Sequence, residues 1–262
     1  MNIYKYTGTM DGFLTVVFDS YENKIYPDLI TDNDEYQLSF DSKVINVETD
    51  EEKASRVERS IVNKIGNDGF YEFMQAFAAD EPEKDMTIYR WLALLFKHGE
   101  IVKTMFNHPY VIAYNDICHR VTYETHRFCG FLRFRELDSF MLAKWHTEVN
   151  EKIYYAPYYP DHNITPFLME YFARRNHDMK LVMHDTKRNI FGIYNTENWE
   201  VFVLKASVVV EPSLNESMFQ TMWRQYYTAV SIDSRKNTKL MNHFLPVRYR
   251  KFLNEFPYVN FQ

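Results

Sequence analysis

The spacing of apolar residues changes twice along this chain, and the two changes restrict the folds open to it. In the first hundred residues, apolar side chains recur every three or four positions, as on one face of a helix. From about residue 130 to residue 204, short alternating runs between turn residues are typical of strands. Helical spacing returns after residue 213. This order predicts an α+β fold with a helical N-terminal region, a central mixed or antiparallel sheet with flanking helices, and a helical C-terminus.

The same patterns predict individual elements. Turn residues at 67–69 should separate two helices of the N-terminal region. Helices are expected over residues 9–21, 50–65, 70–77, 85–98, 108–127, 164–172 (capped by residues 160–163), 214–232 and 247–256, with a short basic helix after residue 233. Strands are expected at residues 44–47, from residue 130, and at 140–145, 153–157, 180–184, 189–194 and 199–204, with a hairpin turn at 185–188.

Length and composition favour a globular protein. The 262 residues suit one large domain or two modest ones, and we treat residues 1–262 as a single family domain. With only 7 Gly and no Gly-rich phosphate motif, a nucleotide-binding phosphate loop is disfavoured. Cys118 and Cys129 are too few for a disulfide framework. No apolar run of signal-peptide or membrane-spanning length occurs, so we expect a cytoplasmic protein without a membrane partner.

Charge is distributed unevenly. Residues 1–100 hold 10 Lys and Arg against 20 Asp and Glu, a net of −10, whereas the rest holds 20 against 16, a net of +4. We therefore distinguish an acidic helical part, residues 1–107, from a basic α+β part, residues 108–262, which could meet an anion. Chance segregation of solvated surface charge is the alternative.

One segment of the basic part is rich in arginine and aromatic residues. If a strand begins at Gly130, Leu132 shares one face with Phe134, while Phe131, Arg133 and Arg135 share the other. An aromatic ring can stack on a base, and arginines can hold phosphates. Alternatively, the arginines pair with the acidic part and the ring packs beneath a helix. The full set of candidate nucleic-acid contacts is Arg127, Phe131, Arg133, Arg135, Arg188, Arg235, Lys236 and Arg248.

Histidine and aspartate pairs supply a candidate catalytic site. His126 ends a predicted helix, where the helix dipole alone would favour a cation. The Asp161-His162 and His184-Asp185 pairs could serve proton transfer or a metal if they converge, whereas a helix cap and ordinary turn chemistry are the alternative explanations. The candidate catalytic residues are His126, Asp161, His162, His184 and Asp185. We predict no metal site and no bound cofactor, because the cysteine and histidine spacings fit no common zinc pattern.

An ordered series of motifs runs along the chain. It includes Asp11-Gly12-Phe13-Leu14, His126-Arg127-Phe128, Pro160-Asp161-His162, His184-Asp185-Thr186-Lys187-Arg188, Arg235-Lys236-Asn237 and Pro246-Val247-Arg248-Tyr249. In these motifs the chain resembles a bacterial family of DNA metabolism proteins whose domain has no known function. The resemblance implies a radical-SAM DNA modification or repair protein as partner, because members typically neighbour one. Some members are fused to a uracil-DNA glycosylase-like domain, whose signature motifs are absent here.

This sequence departs from the family at two motif positions. Met183 precedes the His-Asp pair, where the family usually has a large residue such as Trp. Arg250 follows the Arg-Tyr pair, where a Trp is usual. Both departures concern the fine geometry of a site rather than membership.

Three functions follow as expectations. The first is a DNA repair or modification accessory protein that binds nucleic acid or a DNA-acting radical-SAM partner. The second is an enzyme that acts on a damaged base or nucleotide through the His and Asp residues. The third is a purely structural adaptor. The sequence leaves open whether the protein is an enzyme.

Overall fold

The structure is a computed structural model that describes residues 1–33, 42–137, 152–204 and 213–256. The chain divides into two compact units, Met1–Thr122 and Tyr123–Gln262. Each unit contains its own sheet. Helices lie at both ends of the chain around a central mixed sheet, so the predicted α+β class is confirmed.

The sheet of the first unit is parallel. Its strands are β1 (Asn2–Lys5), β2 (Leu29–Thr31) and β3 (Lys43–Asn46), in the order β2-β1-β3. The predicted strand near residue 44 is confirmed as β3, but β1 and β2 were not predicted. Only Ile3 and Tyr4 of β1 are buried, and two apolar residues are too few to give a recognisable pattern.

The helices of the first unit follow their predicted starts. Thr9 caps the first helix by accepting a hydrogen bond from the Gly12 N–H at 3.1 Å, and Asp50 caps the second through the Lys53 N–H at 3.0 Å. The helices are α1 (Met10–Glu22), α2 (Glu51–Phe77), α3 (Lys84–His98), a 3-10 helix (Gly99–Thr104) and α4 (Pro109–Phe131), which continues into the second unit.

The predicted break at residues 67–69 is wrong in detail. The chain stays helical from Glu51 to Phe77, apart from a kink at Gly66. Gly66 has a φ of 73° and a ψ of 178°, a conformation that residues with a Cβ rarely adopt. Ile65, Gly69 and Phe73 are all buried, so packing on both sides of the kink holds the two helical segments together.

The sheet of the second unit is mixed. Its strands run in chain order, β4 (Arg135–Glu136), β5 (Ile153–Tyr158), β6 (Lys180–Asp185), β7 (Ile190–Tyr194) and β8 (Trp199–Val203). β5 and β6 are parallel and are connected through helix α5 (Thr165–Arg175), whereas the other neighbouring pairs are antiparallel. The four predicted strands between residues 153 and 204, and the predicted hairpin, are confirmed. The predicted strand at residues 140–145 lies outside the described residues.

The predicted strand beginning at Gly130 is wrong. Helix α4 continues through Phe131, and only Arg135 and Glu136 are in a strand. Phe131, Arg133 and Arg135 therefore do not share a strand face. The Phe128 ring is buried against Tyr158 and Tyr249, which holds this turn of the helix in place. The Phe128 carbonyl accepts the Leu132 N–H at 3.1 Å, so the helical bonding extends past the glycine. Helical Gly costs only about 1 kcal/mol relative to Ala, which this packing offsets.

The C-terminal segment is helical, as predicted. It comprises α6 (Leu214–Val230), a 3-10 turn (Asp233–Arg235), α7 (Thr238–Phe244) and a second 3-10 helix (Val247–Phe252), which is shorter than the predicted helix over residues 247–256. The predicted cap at residues 160–163 is wrong, because α5 begins at Thr165 and its N-cap, Ile164, makes no side-chain cap. None of the described helices is long and apolar enough to cross a membrane.

One buried acid in the first unit is held at an energetic cost. Asp85 at the start of α3 is 6% exposed and accepts a hydrogen bond from the Tyr6 hydroxyl at 2.9 Å. Burial raises the pKa of Asp85 from 3.8 to about 6, against the smaller opposing effects of Lys84 and the Tyr6 hydrogen bond. Because the folded protein binds this proton more tightly than the unfolded chain, ionised Asp85 destabilises the fold. Stability should fall as the pH rises through the window between these two pKa values.

At pH values above neutral, we expect Asp85→Asn to raise the free energy of unfolding by up to about 3 kcal/mol. This is the energy equivalent of the difference between the pKa of 3.8 in the unfolded chain and the pKa of about 6 in the folded protein. The gain should shrink as the pH falls through about 6 and should be largely lost near pH 4, because the wild-type carboxyl then takes up its proton in the folded state. Urea unfolding over a pH series measures both effects. Asp68→Asn, at an exposed position of the same unit, is the control. An equal gain in both variants, or a gain independent of pH, would contradict this account.

Candidate functional site

Two of the sequence motifs meet at one edge of the second sheet. Because β5 and β6 are parallel, with Tyr158 opposite Asp185, the loops that follow them leave the sheet at the same edge. The loop after β5 carries Asp161 and His162, and the loop after β6 carries Arg188. The carboxyl edge of parallel strands is a common position for binding sites.

Arg188 joins the two loops. Its Nη1 donates to Asp185 Oδ2 at 2.8 Å and to the carbonyl oxygen of His162 at 3.1 Å, while its Nη2 donates to the carbonyl oxygen of Asp161. Lys187 Nζ donates to the same Asp161 carbonyl at 2.9 Å. Asp185 is fully buried, and its Oδ1 accepts the backbone N–H groups of Lys187 and Arg188 at 2.9 and 3.2 Å. Asp185 therefore stabilises the turn and also fixes the arginine that spans the loops.

Glu124 of α4 binds the first loop from the other side. Its side chain is 3% exposed, and its two carboxylate oxygens accept the backbone N–H groups of Asp161 at 2.7 Å and His162 at 2.8 Å. The sequence predicted a helix cap at these two residues, but in the structure their backbone N–H groups donate to the Glu124 carboxylate. Glu124 carries a charge that backbone dipoles compensate within the fold.

The C-terminal 3-10 helix completes this arrangement. The Tyr249 hydroxyl lies 2.6 Å from Glu124 Oε1 and 3.0 Å from Asp161 Oδ2, and Arg248 donates to Asp161 Oδ2 through Nε at 2.8 Å. A phenol has one hydrogen, and the shorter distance assigns it to Glu124. Burial and the Glu124 charge raise the pKa of Tyr249 far above 10.0, so the hydroxyl keeps its hydrogen. We call this set the Glu124 network: Glu124, Asp161, His162, Asp185, Lys187, Arg188, Arg248 and Tyr249.

The other two candidate catalytic histidines take part in different contacts. His184 precedes Asp185 on β6, so their side chains leave opposite faces of the sheet. The His184 ring lies 2.7 Å from the Tyr155 hydroxyl and 3.0 Å from Asn189 Oδ1, and it stacks on Phe191. Burial lowers the pKa of His184 and so favours its neutral form. His126 is exposed on α4. The structure thus brings together Asp161, His162 and Asp185 from the predicted five.

Three of the predicted nucleic-acid contacts bind the C-terminal segment instead. Arg127 donates to the His243 carbonyl at 3.0 Å, and Arg133 pairs with Glu255 at 3.0 Å. Arg135 donates to the Phe252 carbonyl at 3.0 Å, and burial lowers its pKa. Together with Arg188 and Arg248 of the Glu124 network, these arginines are bound by groups of the second unit. The partners named here all lie in the second unit, and none is in the acidic first hundred residues.

The remaining three line a single cleft of about 1060 Å³ in the second unit, which we call the C-terminal cleft. Phe131 comes from the end of α4, and Arg235 and Lys236 follow α6. Lys236 is largely exposed and pairs with Asp233 at 2.5 Å. The cleft combines apolar side chains with two cations and with Asp233, which pairs with Lys236. Its other lining residues are Tyr227, Thr228, Val230, Ser231, Ile232, Asp233, Asn237, Thr238, Leu240, Met241, Phe244, Leu245 and Phe256.

The motif patterns did not predict Glu124 as a site residue, although the sequence contains a signal for it. It follows Val121 by three residues and precedes Phe128 by four, so it lies on the apolar face of α4. A charged residue at such a position requires a buried partner. The identity of that partner, Tyr249, could not be read from the helix pattern.

The fold and this site define an α+β protein whose second unit contains a buried polar network and a separate set of residues that line a cleft. A family model described as a domain of unknown function, DUF4130, matches residues 82–255. The match covers more than half of the chain, so the protein belongs to this family. No curated protein and no solved structure matches the sequence. Within the described residues, no group of three or more His, Cys, Asp or Glu side chains could hold a metal ion.

We expect Tyr249→Phe to lower the free energy of unfolding by about 1–3 kcal/mol, because it leaves the buried Glu124 carboxylate without one donor. Tyr159→Phe is the matched control, since its ring is 37% exposed and lies under Lys251. That control should change stability by less than about 0.5 kcal/mol. Chemical denaturation of both variants measures the difference. Equal losses would show that the Tyr249 hydroxyl does not stabilise the network.

Proposed function

We propose that this protein binds nucleic acid through the C-terminal cleft, as an accessory of a DNA repair or modification system. The observation that carries the proposal is the composition of the cleft. Phe131 is about a hundred residues from Arg235 and Lys236 in the sequence, yet all three line it. The chemistry of these three side chains alone makes them candidate nucleic-acid contacts.

The chemistry of the cleft suits this ligand. Every nucleobase has a flat apolar face that can stack on an aromatic ring, and the cations beside it can hold the backbone phosphates. The volume of about 1060 Å³ is at the upper end of the range for ligand-binding pockets, roughly 300–1000 Å³. Residues 213–256 carry 7 Lys and Arg against 3 Asp and Glu, a net of +4, which favours a polyanion near this surface.

The resemblance to DNA metabolism proteins supports the remainder of the proposal. It favours a radical-SAM DNA modification or repair protein as the partner and a cytoplasmic location, where bacterial DNA is found. The enzyme alternative has less support. Asp161 and Asp185 are bound by arginines, and His184 is bound between Tyr155 and Asn189. These groups therefore serve packing in this arrangement.

The double variant Arg235→Gln, Lys236→Gln should weaken DNA binding and flatten its salt dependence. Each lost phosphate contact lowers the slope of log K against log salt by about 0.7 for single strands or about 0.9 for duplex. Fluorescence anisotropy with labelled single-stranded and duplex DNA over a salt series measures this. Arg174→Gln is the matched control, because Arg174 is an exposed cation that also pairs with a nearby acid, Glu170.

Wild-type protein that binds neither form of DNA at low salt would overturn the proposed function and favour the adaptor alternative. Equal changes in the double variant and in Arg174→Gln would overturn the assignment of the cleft. Weaker binding with a flatter slope in the double variant, and unchanged binding in Arg174→Gln, supports it.

A further inference from the structure

Helix α6 carries a row of exposed aromatic side chains that leads into the C-terminal cleft. Phe219, Trp223 and Tyr227 follow one another at intervals of four residues, which places them on one ridge of the helix. They are 57%, 42% and 40% exposed. Tyr227 also lines the cleft, so the ridge and the cleft are continuous. We call these three residues the aromatic ridge.

The orientation of α6 is the reverse of that of a helix packed by its apolar face. Its half-buried residues are the polar Glu216, Gln220 and Arg224, while the aromatic ridge faces outward. Glu216 accepts the Glu136 N–H at 3.3 Å and the Gln220 side-chain amide at 3.0 Å, so polar contacts hold this face of the helix. A contiguous exposed apolar surface of this kind is a mark of a binding site.

We propose that the aromatic ridge and the C-terminal cleft form one path for a single strand of nucleic acid. Unstacked bases would lie on the three rings, and Arg235 and Lys236 would hold the backbone where the strand enters the cleft. This inference rests on the proposed function and specifies its ligand. It assigns to α6 a binding role that the charge and motif patterns did not suggest.

The geometry favours a single strand over a duplex. Four helical residues rise about 6 Å, so neighbouring rings of the ridge are roughly 6 Å apart along the helix. Stacked bases are separated by only about 3.4 Å, and a duplex keeps both faces of each base covered. Bases that lie on successive rings must therefore be separated from one another, which only an unpaired strand allows.

The charge of the path also favours a single strand. Two of the residues that line the cleft, Arg235 and Lys236, are cations, and Lys236 already pairs with Asp233. Duplex binding depends mainly on many phosphate contacts, whereas stacking supplies much of the affinity for a single strand. A surface with three exposed rings and two cations matches the second case.

The test compares Trp223→Ala with wild-type full-length protein in anisotropy titrations with a labelled oligothymidylate and a duplex of the same length. Wild type should bind the single strand at least about tenfold more tightly than the duplex. Trp223→Ala should weaken single-strand binding roughly tenfold, the usual loss for one stacking aromatic. Trp199→Ala is the matched control, because Trp199 is 40% exposed on β8 and lies outside the ridge and the lining of the cleft. Phe219→Ala gives a second reading at another ridge position.

Single-strand preference that is lost in Trp223→Ala and Phe219→Ala, and kept in Trp199→Ala, supports the inference. Equal affinity for both DNA forms overturns it and leaves the proposed function standing. Single-strand affinity that is unchanged in both ridge variants also overturns it and would favour a protein partner for the ridge. Absence of binding to either DNA form overturns the proposed function itself.

Discussion

The second unit depends on one buried carboxylate. Glu124 lies within an apolar helix face, and ionised carboxylates are costly in such surroundings unless hydrogen bonds compensate them. Here the compensation comes from two backbone amides of the loop after β5 and from the hydroxyl of Tyr249. A single charge thereby fixes a helix, a loop and the C-terminal 3-10 helix relative to one another within this unit. Residues of the same helix and of the same C-terminal segment also line the C-terminal cleft.

Arginine has two distinct uses in this unit. Arg127, Arg133 and Arg135 form fixed contacts with carbonyl and carboxylate groups, which suits the planar guanidinium and its several donors. Arg235 instead lies in the open cleft. Net charge alone cannot distinguish these uses, because an arginine bound within the fold counts equally with one available to a ligand. The useful charge of the basic part is therefore smaller than its formal value.

The sequence predicted the regular parts of the fold better than the positions of the candidate site residues in space. The strands between residues 153 and 204 alternate clearly and are bounded by turn residues, so their positions followed from the pattern. The segment around Gly130 was misread because glycine permits either a strand or a helix, and the packing of Phe128 decided the outcome. Pairings such as Glu124 with Tyr249, separated by 125 residues, leave no local pattern. The cleft is equally non-local, since Phe131 and Arg235 contribute to it from separate elements.

The distance in sequence between Glu124 and Tyr249 also determines when the Glu124 network can form. Contacts between residues this far apart close a large loop, which costs entropy and makes them late events in folding. During synthesis from the N-terminus, the helix with Glu124 is made long before Tyr249, so the Glu124 carboxylate stays hydrated until Tyr249 has been added. Phe256 lines the cleft and emerges later still. A chain interrupted before these residues would lack part of the cleft lining, which couples the formation of the cleft to completion of the second unit.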